Sequence, residues 1–111
     1  GMEGVRLPSE VEISIYRVVQ EALTNVAKHA KATAVSVILE RQGEAVTAIV
    51  EDNGVGFDLD SIWKSPVKEK RLGLHGMQER VQLTGGHLTI ESSPEIGTTI
   101  YAQWRINTDI W

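Results

Sequence analysis

Glu51-Asp52-Asn53-Gly54-Val55-Gly56-Phe57 is the stretch from which the fold is read. Ala45 to Val50 leads into it, with Thr47 among mostly apolar and β-branched residues, and so predicts a strand. Two carboxylates and an amide stand at the strand's end, followed by two glycines one residue apart. Without a Cβ, Gly54 and Gly56 let backbone approach a flat or phosphorylated ligand closely. A carboxylate at the end of a buried strand is costly unless a donor meets it. Asp52 therefore calls for a partner, and a ligand amino group is one candidate. The competing reading is a polar turn after a strand.

The chain has 111 residues, the size of one domain with room for one core. A net charge of −4 argues against a general nucleic-acid binder. The chain has no cysteine, which removes disulfides and thiolate metal sites. Its apolar runs fall far short of the ~20 residues a membrane span needs, and no signal peptide is visible. Direct membrane contact is not expected. Gly1 before Met2 reads as a tag scar, so an excised, monomeric domain is expected, with 1–8 as scar and linker and 107–111 as a tail.

Ser9 and Glu12 have capping-box spacing, with Pro8 just outside. Ile15, Val19, Ala22, Leu23, Val26 and Ala30 then recur at threes and fours, predicting a helix from about Val11 to Ala30. Lys28, His29 and Lys31 would complement its dipole. Glu21, Asn25 and Lys28 line up on another face, with His29 at its edge. That face reads either as a solvated Glu–Lys pair or as a functional row. Asn25 is the informative member, because a mid-helix Asn costs a few tenths of a kcal/mol against Ala.

Thr33 to Arg41 alternates, with Val35, Val37 and Leu39 on one side, and Gln42-Gly43 supplies the turn to the next strand. Residues 58–72 have no period and carry Lys68, Lys70 and Arg71, which reads as a disordered loop or a lid over an anion. Gly73-Leu74-His75-Gly76-Met77 opens a second helix, with Leu74, Met77 and Val81 inward and Gly85-Gly86 at its end. Its glycine-flanked start is suited to an anion. His75 and His87 read as solvated or packing side chains. His87 to Ser92 and Thr98 to Ile106 alternate as strands, Leu88, Ile90, Ile100, Ala102, Trp104 and Ile106 inward. The order predicts an α+β two-layer sandwich, helices on one face of the sheet. A calcium loop, a G-x-x-x-x-G-K-[ST] loop, G-x-G-x-x-G and H-E-x-x-H are all absent.

Taken together, these pieces resemble an ordered set of family motifs. Glu21-Ala22-Leu23-Thr24-Asn25-Val26-Ala27-Lys28-His29-Ala30 looks like the N box of the GHKL ATPases, the group of gyrase, Hsp90, histidine kinases and MutL. Asp52 to Gly56 resembles their first glycine box, Gly73 to Met77 the second and Gly97-Thr98-Thr99 the last. The wording is most similar to the catalytic domain of sensor histidine kinases of the NarL/DesK-like class. The resemblance spans about residues 10–106.

That resemblance implies a Bergerat-type sandwich over residues 9–106, with a mixed, mostly antiparallel sheet and 58–72 as an ATP lid. It implies ATP and Mg²⁺ as cofactors. Asp52 would accept the adenine amino group, Gly54 and Gly56 would shape the pocket and hinge, and Thr98 would reach adenine. Asn25 would bind Mg²⁺ and Glu21 would hold a metal water or act as a base. Lys28 and His29 would reach the phosphates, with backbone N–H groups of Gly73, Leu74, His75 and Gly76. The acceptor would be a histidine on a separate helical domain of the same or a paired chain, serving a LuxR-type response regulator, and the domain alone would be incomplete for autophosphorylation. The parent would be membrane-anchored with this domain in the cytoplasm. The alternatives are a serine kinase of the anti-sigma-factor type and a nucleotide-binding module without catalysis. The second glycine box is shorter than in many kinases and 58–72 lacks a clear phenylalanine box.

Overall fold

Residues 7–56 and 74–106 are described by a computed structural model. The lid expected at 58–72 and the tail at 107–111 lie outside the described residues. Helix α1 spans Ser9–Asn25 and continues into a π-helical turn, Val26–Ala30. Strands β1 (Val35–Gln42) and β2 (Ala45–Asp52) follow, then α2 (Leu74–Leu83), β3 (Gly86–Ser93) and β4 (Gly97–Arg105). The sheet order is β1-β2-β4-β3, and each described pairing is antiparallel. The helices share one face: α1 lies over β2 and β4, α2 over β3, and the two touch each other.

Strand alternation decides what faces the helices. Val46, Ala48 and Val50 of β2 are buried, as are Ile100, Ala102 and Trp104 of β4. The register sets them side by side, Val46 against Trp104, Ala48 against Ala102 and Val50 against Ile100. Leu88 and Ile90 extend the rows into β3. Val11, Ile15, Val18 and Ala22 from α1, and Leu74, Met77 and Val81 from α2, close the core from above. Edge strand β1 escapes this cover, so Val35, Val37 and Leu39 stay exposed.

Trp104 is also the anchor of a polar stitch. Its Nε1 donates to Thr84 Oγ1 at 2.9 Å, and Thr84 Oγ1 lies 3.2 Å from Ser14 Oγ. The buried Ser14 is thereby paired, and the start of α1, the end of α2 and β4 are tied at one point. Buried polar groups without such partners would each cost about 1–3 kcal/mol.

Four local expectations are corrected. The capping box does not form: Pro8 is the N-cap, its carbonyl accepting from Val11 and Glu12 N–H at 3.0 and 3.1 Å, so Ser9 is already helical. The buried stripe of α1 runs through Val18, with Val19 only half-buried and Leu23 exposed. Spacings of three and four permit either choice, and the partners across the core decide it. The α-helix also ends at Asn25, earlier than its period predicts. Thr24 Oγ1 donates to the Gln20 carbonyl at 2.9 Å, a back-bond that loosens the local ladder just before the π turn. Consequently no basic residue lies in the last turn of α1. Finally, Gly86 belongs to β3 and not to the helix end: a Cβ there would come within 2.8 Å of the Trp104 ring.

Candidate functional site

The inward alternation of β2 does not stop at Val50; it carries Asp52 to the same face. Asp52 is 9% exposed, and its Oδ1 accepts the Gly54 N–H at 2.8 Å in an Asx turn. Among the described residues its second oxygen has no protein donor. Thr98 sits opposite Asp52 on β4, and Ser92 opposite Thr98 on β3. Ser92 Oγ and Thr98 Oγ1 are 2.9 Å apart, and Ser92 Oγ also donates to the Gly97 carbonyl at 3.3 Å. The innermost row of an apolar sheet face thus becomes hydroxyl, hydroxyl, carboxylate at its end. A cavity of about 500 Å³ opens at this sheet end, lined by Asp52, Ser92 and Thr98 from that row and by Ser36, Glu51, Glu91 and Thr99 from the opposite face of the sheet. That is the size of a small-molecule site with a few convergent polar groups.

Two glycines make this end of the sheet possible. Gly97 has φ +128°, and a Cβ there would overlap the Asp52 carbonyl oxygen and approach Asn53 Cα to 3.1 Å. Gly56 has φ +63°, and a Cβ would overlap the Ser93 carbonyl. The Glu95 N–H donates to the Val55 carbonyl. The first and last glycine motifs therefore lock onto each other backbone to backbone, which fixes where Asp52 and Thr98 stand.

Asp52 and Thr98, far apart in sequence, are brought together, and Gly54 and Gly56 shape the turn beside them. Glu21 and Asn25 are half-buried near the end of α1, and Lys28 is exposed on the π turn. With i→i+5 bonding there, Lys28 no longer keeps the α-helical alignment with Glu21 and Asn25. None of these three lines the cavity beside Asp52. Leu74 puts its side chain in the core at 1% exposure, leaving only backbone for any ligand, while His75 and Gly76 are exposed on the first turn of α2. The His29 side chain and Gly73 lie outside the described residues. No cluster of three His, Cys, Asp or Glu residues that could hold a metal occurs among the described residues.

The sequence reading passed over two residues. Ser92 was detectable, because Leu88, Ile90 and Ser92 continue one inward alternation. Asn53 looked like ordinary turn chemistry, yet its Oδ1 accepts the Thr33 and Ala34 N–H groups, each at 3.0 Å, and its Nδ2 donates to Thr33 Oγ1 at 2.8 Å.

Comparison with known proteins fits this geometry. The profile of the family described as "Histidine kinase-, DNA gyrase B-, and HSP90-like ATPase" matches residues 10–108. The chain is 45% identical over 107 residues to the signal transduction histidine-protein kinase/phosphatase DegS of Brevibacillus brevis, covering 96% of this chain and 26% of that protein. To DegS of Bacillus subtilis it is 39% identical over 98 residues, 88% of this chain and 25% of the relative. The chain thus spans about a quarter of these relatives. Among solved structures, the blue-light activated histidine kinase of Erythrobacter litoralis EL346 superposes with a TM-score of 0.71 at 25% identity, over 94% of this chain and 35% of that one. With nearly its whole length matched, and the motif-bearing ends of β2 and β4 meeting at one cleft, the chain belongs to the histidine kinase-, DNA gyrase B- and HSP90-like ATPase family.

Proposed function

We propose that this chain is the ATP-binding catalytic domain of a sensor histidine kinase, holding Mg-ATP for transfer of its terminal phosphoryl group to a histidine on a separate helical domain. The observation that carries the reading is the half-satisfied Asp52 carboxylate, buried at the rim of a cavity with Thr98 beside it. A carboxylate oxygen there accepts an exocyclic amino group and rejects a carbonyl, which suits adenine. The backbone clasp of Gly56 and Gly97 supports the same reading, since it fixes the backbone beside Asp52 and Thr98.

The donor set also fits a metal that arrives with the nucleotide. Mg²⁺ is normally held by one or two side chains plus phosphate oxygens and waters, not by an all-protein cage. The described residues offer no cage, but Asn25 supplies an amide oxygen and Glu21 a carboxylate one turn earlier. In this reading Asn25 holds the metal, Glu21 orients a metal water or takes a proton, and Lys28 and His29 reach the phosphates. Backbone N–H groups of Gly73, Leu74, His75 and Gly76 add to that set. Magnesium, once bound, neutralises charge on the phosphates. The protein's own share is positioning and electrostatic stabilisation, the main needs of phosphoryl transfer. The relatives' names support a histidine-kinase parent; a LuxR-type response regulator as its target follows from the motif resemblance alone. Among the described residues no helix is long and apolar enough to cross a membrane.

Calorimetric titration of the 111-residue chain with ATP, with and without Mg²⁺, tests the proposal. Binding strengthened by Mg²⁺ in the wild type, with that dependence lost in Asn25→Ala, is the expected result. Absence of any ATP binding would overturn it.

A further inference from the structure

We infer that Asn53 is a positioning residue that ties the phosphate-side helix to the adenine-side strand. The π turn ends at Ala30, Lys31 with φ +51° reverses the chain there, and Thr33 and Ala34 come just beyond. From there the backbone must run back to the start of β1. Asn53 meets it with every polar atom of its side chain: Oδ1 takes the Thr33 and Ala34 N–H groups at 3.0 Å each, and Nδ2 gives a hydrogen bond to Thr33 Oγ1 at 2.8 Å. The Asn53 backbone N–H adds a fourth link, to the Ala34 carbonyl at 3.3 Å.

Two features set this clasp apart from turn decoration. It joins segments about twenty residues apart, bridging the stretch that follows the N-box helix to the end of β2 with side-chain hydrogen bonds. It also hangs on the residue next to Asp52, whose own carboxylate is pinned by Gly54. Asn53 and Thr33 are both exposed, so the clasp adds little to the core. What it fixes is the distance from the carboxylate that reads one end of the ligand to the helix end carrying Asn25 and Lys28. A ligand that touches only the Asp52 end does not need that distance; one that spans both ends does. The inference rests on the nucleotide reading above, and its test separates the two.

The experiment compares Mg-ATP and adenosine binding, by titration calorimetry or by amide chemical shifts, in the wild type, Asn53→Ala, Asn53→Asp and Asn53→Ala/Thr33→Val. Asn53→Ala is expected to lose on the order of tenfold in Mg-ATP affinity, about 1.4 kcal/mol, while adenosine affinity falls far less. Asn53→Asp keeps two acceptors for the Thr33 and Ala34 N–H groups, and the Thr33 hydroxyl can turn to donate. It is expected to recover most of the loss. Adding Thr33→Val to Asn53→Ala is expected to cost little more, because the shared bond is already gone. If the wild type binds Mg-ATP but Asn53→Ala binds it equally well, or loses adenosine in parallel, the positioning role is wrong. A wild type that binds no nucleotide would overturn the functional reading itself.

Discussion

Gly97→Ala probes the contact on which both the sheet end and the cleft depend. At φ +128° an L side chain is strained whatever the space around it, at a cost of about 1–3 kcal/mol. The new methyl would also overlap the Asp52 carbonyl and crowd Asn53 Cα at 3.1 Å, and these are backbone atoms that cannot swing aside. Overpacking of that kind costs a further ~1–3 kcal/mol. The sum, roughly 2–6 kcal/mol, is a large share of the ~5–15 kcal/mol expected for a domain of this size. The thermal midpoint should therefore fall by roughly 10–25 °C. Gly43→Ala is the control: its φ is also positive, at +59°, but nothing lies within 4 Å of the added Cβ. It should pay only the left-handed conformational cost of about 1–2 kcal/mol. Urea unfolding of both variants separates strain from overlap, and the Mg-ATP affinity of Gly97→Ala should fall as Asp52 is displaced. If Gly97→Ala is no less stable than Gly43→Ala, the locked contact between the glycine motifs does not exist in solution.

Other substitutions probe single links. Glu95 holds φ +68° in the β3–β4 turn, so Glu95→Gly should raise stability by about 0.5–1 kcal/mol in urea melts, relief of strain outweighing the added chain entropy. Trp104→Phe removes the Nε1 donor to Thr84 and part of the ring that fills the space over Gly86. A loss of about 1–3 kcal/mol is expected, and a loss below 0.5 kcal/mol would mean the polar stitch is not formed. Gly76→Ala meets nothing within 4 Å on α2 and should gain up to about 1 kcal/mol in the same assay.

The strands were legible because alternation carries its own register. Val46, Ala48 and Val50 against Ile100, Ala102 and Trp104 could face only one way once a core was required. Asp52 was legible for the same reason, as the next step of that alternation. Helix α1 was less so: Ile15 and Ala22 permit either Val18 or Val19 between them, and only the sheet underneath selects Val18. Its π turn follows a Thr24 back-bond that no periodicity announces. The capping box failed because Pro8 supplied the cap through its backbone carbonyl. Asn53 stayed hidden because its partners lie about twenty residues upstream, and long-range side-chain bonds leave no local pattern. The tight spot under Trp104 likewise explains Gly86 only after β3 and β4 have been placed together.

Nucleobase preference is the most direct test of the Asp52 pocket. Wild-type chain should bind Mg-ATP well and Mg-GTP far more weakly, because the carboxylate accepts the adenine amino group but faces the guanine carbonyl oxygen as another acceptor. Asp52→Asn offers a donor at that point, so titration calorimetry should show ATP affinity falling and the ATP-over-GTP ratio narrowing or reversing. An Asp52→Asn variant that keeps the wild-type ratio would place base recognition somewhere else.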